Sequence, residues 1–169
     1  PAKAKRVLSG IPTLDHVLGG FQYGDLTVWT GRRGEGKSTM MNQIALEALD
    51  RGEKVCLYSG ELSAQRAQYW LDLQAAGPEH IKATRDRETG KEILYVVQPQ
   101  KSYIHDWYKG RMFVYDNTMA GAGEEDSILK AFHAAVSRKN CSVFIVDNLM
   151  TARLAKSRDG FFQAQSAFV

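Results

Sequence analysis

The chain has 169 residues, 44% hydrophobic and 24% charged, the proportions of an ordinary globular domain with enough apolar material for a core. Its 22 basic and 19 acidic residues leave a formal net charge of +3, too mild and mixed to mark a nucleic-acid binder by composition. No apolar run approaches the roughly 18 residues of a membrane-spanning helix, and the basic stretch Pro1 to Arg6 is followed by no apolar segment, so neither a membrane anchor nor a secretory signal is expected.

Residues 7 to 25 mix Gly and Pro with Ile11, Leu14, Val17 and Leu18, a spacing that predicts a short amphipathic helix closed by Gly19-Gly20. The apolar run Leu26 to Thr30 then reads as a strand. After a glycine-rich loop, Lys37 to Asp50 places Met41, Ile44, Ala45, Ala48 and Leu49 at helical spacing, and Val55 to Ser59 reads as a second strand. Strand, loop, helix and strand within about 35 residues have the length of a βαβ unit.

Ser63 to Ala76 predicts a helix, with Ser63 as N-cap, Tyr69, Trp70 and Leu73 on one side, and Gly77-Pro78 as its stop. Between Gly77 and Gly110 the periodicity fades; this stretch reads as an irregular, mobile insertion, although "EILYVV" could pair as a hairpin strand. Met112 to Tyr115 is a third strand candidate. Glu124 to Arg138 predicts a helix with an acidic first turn and a stripe of Ile128, Leu129, Phe132, Ala135 and Val136. Val143 to Asn148 is a continuous apolar strand ending in a carboxylate. Strands without alternation point to a parallel sheet covered on both faces, hence an α/β fold.

The two cysteines, Cys56 and Cys141, lie beside apolar segments without metal-ligand spacing and read as buried thiols in a reducing, cytoplasmic setting. A start on Pro1 and a stop at Val169, inside a segment that could be helical, are expected of a piece of a longer protein.

The chemistry concentrates in "TGRRGEGKST". Gly31, Gly36, Lys37 and Ser38 fit G-x-x-x-x-G-K-[ST], whose bare backbone lets successive N–H groups and a helix N-terminus converge on a phosphate. The expected nucleotide contacts are Gly31, Arg32, Arg33, Gly34, Glu35, Gly36, Lys37, Ser38 and Thr39. Lys37 would reach the β and γ phosphates of ATP or another nucleoside triphosphate, and the Ser38 hydroxyl would ligate Mg²⁺. Asp147, ending a buried strand, is the expected carboxylate on the metal side, or else a simple cap. Glu61, two residues past the second strand, is the candidate for activating water, since parallel strands gather their C-terminal ends at one ligand-binding edge. It could instead be a helix-dipole carboxylate, and Asp116 at the same edge is a rival base.

Taken together, "SGIPTLDHVLGGFQYGDLTVWTGRRGEGKST", "LYSGELS" and "VFIVDNL" resemble the RecA-like motor domain of hexameric replicative helicases, of the DnaB type and the Twinkle and phage primase-helicase branch. Ser9, Gly10, Leu14, Asp15, Gly20, Gly24, Asp25 and Leu26 match the family's lead-in. The resemblance implies a RecA-like P-loop NTPase core, a mostly parallel sheet with helices on both faces. Residues 1–25 would be the lead-in, residues 26–169 the N-terminal part of the ATPase domain, and 77–110 an insertion. It places Glu61 at the family's water-activating glutamate and Asp147 at its Walker B aspartate.

The resemblance further implies a homo-oligomer, a hexameric ring, that hydrolyses ATP between subunits and translocates on single-stranded DNA, with a possible primase domain or partner. Arg32, Arg33 and Glu35 make the loop more charged than the family norm; beside a triphosphate, Glu35 has to point away or meet an arginine. The family's arginine finger and DNA loops would fall after Val169. Because such a finger can contribute on the order of 10³ to 10⁵ in turnover, this chain is expected to bind nucleotide but hydrolyse it poorly. "SGIPTLDHVLGG" also resembles the entry of KaiC-like switches and RadA-like recombination factors, and a binding module with a structural ATP site is a third possibility. Tyr103, Trp107, Tyr108, Lys101, Lys109 and Arg111 could stack bases and neutralise phosphates, but such aromatics more often pack a neighbouring helix.

Overall fold

Five consecutive buried residues, Val55 to Ser59, form the middle strand of the sheet and set the architecture. The structure, a computed structural model, describes residues 6–116 and 127–148. In chain order, β1 (Arg6–Val7) pairs antiparallel with β2 (Phe21–Gln22) around α1 (Pro12–Leu18). Then come α2 (Lys37–Asp50), β3 (Val55–Ser59), α3 (Ala64–Ala76), a 3-10 turn (Pro78–His80), and the antiparallel hairpin β4 (Ile81–Arg85) and β5 (Glu92–Val96). The described chain closes with α4 (Gln100–Tyr108), β6 (Met112–Val114), α5 (Ser127–Lys139) and β7 (Val143–Asp147).

β3 pairs in parallel with β6 on one side and β7 on the other. Because successive side chains on a strand face opposite ways, β3 feeds two cores. Val55 and Leu57, with Ile145 of β7, pack in the cluster that holds Leu49 of α2, Leu71 of α3 and Ile104 of α4. Tyr58 meets Ile128 of α5, and Cys56 meets Ala135 of the same helix. Both faces are therefore covered, which is why these strands carry no polar alternation. Leu49 and Leu71 are fully buried, each contributing about 1.5–3 kcal/mol relative to exposure.

The N-terminal lead-in is locked by Ser9, wholly buried, whose N–H and hydroxyl both donate to Asp15 Oδ1 at 2.7 and 2.8 Å. Gly10 rests against α2 with φ 75°, a left-handed backbone that favours glycine, and a Cβ there would lie 2.7 Å from Glu47 Oε2, so that side chain would have to shift. The Ser-Gly and Leu-Asp spacing of the lead-in is thus a local lock seated on the helix that follows the glycine loop.

Two expectations need correction. Leu26 to Thr30 is not a strand: it forms no ladder with any strand among the described residues, and Leu26 and Val28 are 57% and 65% exposed. Apolar content supplies only the propensity; a strand exists where a partner takes up its N–H and C=O groups. Nor is 77–110 irregular. It holds a hairpin and a helix, anchored by Asp72 of α3, whose buried carboxylate accepts from the Tyr108 hydroxyl at 2.9 Å and lies 2.7 Å from His105 Nε2. Gln68 Nε2 in turn donates to the Tyr108 oxygen at 2.7 Å.

Arg111 ties the far end of that excursion down, donating to the Leu49 carbonyl at 2.7 Å and to the Trp107 carbonyl. Tyr108 and Arg111 of the aromatic and basic cluster are thereby committed to packing, while Lys101, Tyr103 and Lys109 are exposed.

Smaller differences concern helix faces and ends. On α3 the buried residues are Ala67, Leu71, Asp72, Leu73 and Ala76, whereas Trp70 is 47% exposed. Ser63 caps this helix, its hydroxyl accepting from the Arg66 N–H at 3.4 Å. β6 ends at Val114, one residue short of the expected strand. The expected acidic turn Glu124 to Asp126 lies outside the described residues. Cys56 and Cys141 are buried free thiols, as expected.

Candidate functional site

The glycine loop runs into α2 through Gly36, which holds φ 84° and ψ 17° at the N-cap position. Glycine offers no side-chain cap, so the first N–H groups of a 14-residue helix are presented outward. A Cβ on Gly36 would meet nothing within 4 Å, so the residue is required by its left-handed backbone and not by crowding. Such an end carries the positive pole of the helix and favours an anion.

Two of the loop's charged side chains, those of Lys37 and Glu35, bond within it. Lys37 Nζ donates to the carbonyls of Gly31 and Arg32 at 2.8 and 2.6 Å, curling back over the turn. Glu35 Oε2 accepts the Arg32 N–H at 2.6 Å. Glu35 therefore meets a backbone donor of Arg32, so a carboxylate of the chain itself takes up one of the loop's donors.

Across from the loop, two strand ends meet in register. Ser59 stands opposite Asp147, and the Gly60 N–H donates to the Asp147 carbonyl at 2.8 Å. The buried Ser59 hydroxyl accepts the Leu62 N–H at 3.1 Å, fixing the turn that carries Glu61. Glu61 is exposed, and its Oε1 accepts from Asn148 Nδ2 at 2.6 Å. Asp116 follows β6, on the opposite side of β3 from Asp147.

A cavity of about 530 Å³ joins loop helix and strand ends, lined by Ser38, Thr39, Ser59 and Asp147 together with apolar side chains such as Met41 and Leu73. Gln74 of α3 donates to the Thr39 carbonyl at 3.0 Å, holding α3 against the start of α2. The structure thus brings Ser38, Thr39 and Asp147 to one cleft. It carries Lys37 on the loop and Glu61 on the adjoining turn. Ser59 and Asn148, both within the quoted stretches "LYSGELS" and "VFIVDNL", were missed as functional candidates: Ser59 acts through a turn hydrogen bond to Leu62, and the contact of Asn148 with Glu61 depends on the pairing of β3 with β7.

The donor set suits a nucleoside triphosphate with Mg²⁺: a bare, left-handed turn for phosphates, one lysine, one hydroxyl and one carboxylate. Mg²⁺ generally keeps several waters and takes one or two protein ligands beside substrate phosphates. It does not need a cage, and among the described residues no group of three His, Cys, Asp or Glu side chains forms one.

A glycine-rich turn opening a helix, beside parallel strands whose C-terminal ends carry carboxylates, defines a P-loop α/β domain of the RecA-like kind. The chain belongs to the family of the DnaB-like helicase C-terminal domain, which it matches over residues 7–160. It is also similar to proteins named DNA repair protein RadA. The one from Mycobacterium tuberculosis (strain H37Rv) is 26% identical over 146 residues, covering 83% of this chain and 30% of that protein. The one from Listeria monocytogenes is 28% identical over 152 residues, 86% of this chain and 32% of that protein. The one from Brucella abortus is 42% identical over 92 residues, 54% of this chain and 19% of that protein. The chain spans about a third or less of the length of these relatives. Among the described residues, no helix is long and apolar enough to cross a membrane.

Proposed function

We propose that this chain is the ATP-binding motor core of a ring-forming DNA helicase, which hydrolyses ATP at subunit interfaces to translocate on single-stranded DNA. The observation that carries this reading is the register of β3 with β7, which sets the turn bearing Glu61 beside Asp147, with Ser38 of the loop helix on the same cleft. Membership of the DnaB-like family supports the helicase half.

In this reading the phosphates seat on the N–H groups around Gly34 to Thr39, and Lys37 exchanges its two carbonyl partners for phosphate oxygens. Ser38 and Asp147 would hold Mg²⁺, which would supply positive charge to offset that of the β and γ phosphates. Glu61 accepts a proton from the attacking water as the water oxygen bonds to the γ phosphorus and the bond to the departing nucleoside diphosphate breaks. Glu61 then gives that proton up to the phosphate product or to solvent, which restores the carboxylate. In the intact protein the ring is a homo-hexamer, as the family resemblance implies, and a primase domain or partner is compatible with it.

A second reading, a RadA-like ATPase acting in DNA repair without replicative unwinding, is favoured by the relatives of that name. Steady-state ATP hydrolysis by the intact protein, with and without single-stranded DNA, tests the first reading together with the variants Lys37→Ala and Glu61→Gln. Expected are strong stimulation by DNA, loss of nucleotide binding in Lys37→Ala, and retained binding with only a small residual turnover in Glu61→Gln. Unwinding of a forked duplex then separates the helicase from the repair ATPase. Turnover indifferent to DNA would defeat both and point to a KaiC-like switch.

A further inference from the structure

Asn148 plays no part in the reading above, yet its side chain touches Glu61. The Nδ2 to Oε1 distance is 2.6 Å, across 87 positions of sequence. A carboxylate oxygen only accepts, so the amide nitrogen is the atom that faces it. The sheet produces this contact. β3 and β7 run parallel with Ser59 opposite Asp147, and the Gly60 N–H bonds the Asp147 carbonyl. The two chains therefore leave the sheet side by side, Glu61 two residues past one register partner and Asn148 one residue past the other.

Glu61 sits exposed on a turn, where an untethered glutamate would spread over many rotamers. The hydrogen bond from Asn148 favours the rotamer that keeps Oε1 at the amide. The donor's neutrality matters as well. Lysine or arginine in its place would pair with the carboxylate and draw off the charge a base needs, and aspartate would repel it.

We propose that Asn148 is a positioning residue for Glu61, occupying Oε1 so that the other carboxylate oxygen is directed at the attacking water. This rests on the reading of Glu61 as the base. The side chain that orients the base is then carried by the residue next to Asp147, so one strand end serves both the metal side and the water side of the site.

A double-mutant cycle in the intact protein tests it, with kcat and KM for ATP measured for wild type, Asn148→Ala, Glu61→Gln and the pair. Asn148→Ala is expected to lower kcat about 10- to 100-fold, the scale of a misplaced catalytic group, with KM within about twofold. Asn148→Ser, which keeps a shorter donor, is expected to recover part of that loss, which a packing role would not produce. In the Glu61→Gln background, removal of Asn148 is expected to cost nothing more. Unchanged kcat in Asn148→Ala, or a loss that multiplies in full with that of Glu61→Gln, overturns the positioning role and leaves the base reading standing. Normal turnover in Glu61→Gln alone removes the base reading and this inference together.

Discussion

Replacing Gly36 by alanine isolates what the left-handed turn contributes to nucleotide binding. The residue sits at φ 84°, and an added Cβ would find no atom within 4 Å, so steric collision is absent from the cost. What remains is the backbone penalty of an L-residue in that region, about 1–2 kcal/mol. The loop is exposed, so the free protein can relieve the strain by letting the turn shift; binding reimposes the turn. The penalty should therefore fall on affinity, about 5- to 30-fold at 1.4 kcal/mol per factor of ten, with Tm nearly unchanged. Gly31→Ala is the matched control. Its backbone is not left-handed, and its Cβ would lie 3.0 Å from Glu35 Oε2, the end of a side chain that can swing away. Only the Glu35 to Arg32 hydrogen bond is then at stake, about 1 kcal/mol or less at an exposed site. Titration with a fluorescent ATP analogue, alongside thermal melts, reads both. A Gly36→Ala protein that binds within twofold of wild type, or one that loses several degrees of Tm at unchanged affinity, would refute the reasoning.

Glu35→Gln keeps an acceptor for the Arg32 N–H but removes a negative charge beside the triphosphate. At about 6 Å in a water-like medium that charge is worth about 0.7 kcal/mol, so nucleotide should bind about threefold tighter, and the gain should shrink with added salt. Asp72→Ala deprives the buried Tyr108 hydroxyl of its acceptor and His105 of its partner. A loss of about 3 kcal/mol is expected, or about 6–12 °C in Tm for a domain of this size; a drop under 2 °C would contradict the anchoring role. Burial pushes the Cys56 thiol up to about 11, with nearby Cys141 adding to the shift. The unfolded chain gives up that proton from about pH 8.5, so the folded state binds more protons above that value and stability falls as pH rises toward 11. Urea midpoints at pH 7.5 and 10 should fall less between the two in Cys56→Val than in wild type; equal falls would exclude the thiol as the cause.

The helix Lys37 to Asp50 and the strand Val55 to Ser59 were legible to the residue, because the first has helical apolar spacing and the second is buried on both faces between turn signals. Leu26 to Thr30 has the same apolar look, but nothing in its own residues names a ladder partner. The excursion 77–110 was misread for a different reason. Its anchor is a carboxylate on the buried face of α3, and a reading based on apolar periodicity passes over Asp72. Of the candidate site, the loop and Asp147 were visible as motif and context, whereas Asn148 acquires meaning only through the pairing of two strands far apart in sequence.

The placement of that excursion has a consequence for how the chain can vary. The hairpin and α4 depart from α3 and return through β6, which pairs with the edge of β3 facing away from β7. Lengthening or trimming it alters one flank of the central strand, while Ser59 and Asp147 stay matched across the other. The sheet thus shields the match of Ser59 with Asp147 from changes in 77–110, while Leu94 of β5, which lines the same cavity as Ser38 and Asp147, passes such changes to the cavity wall.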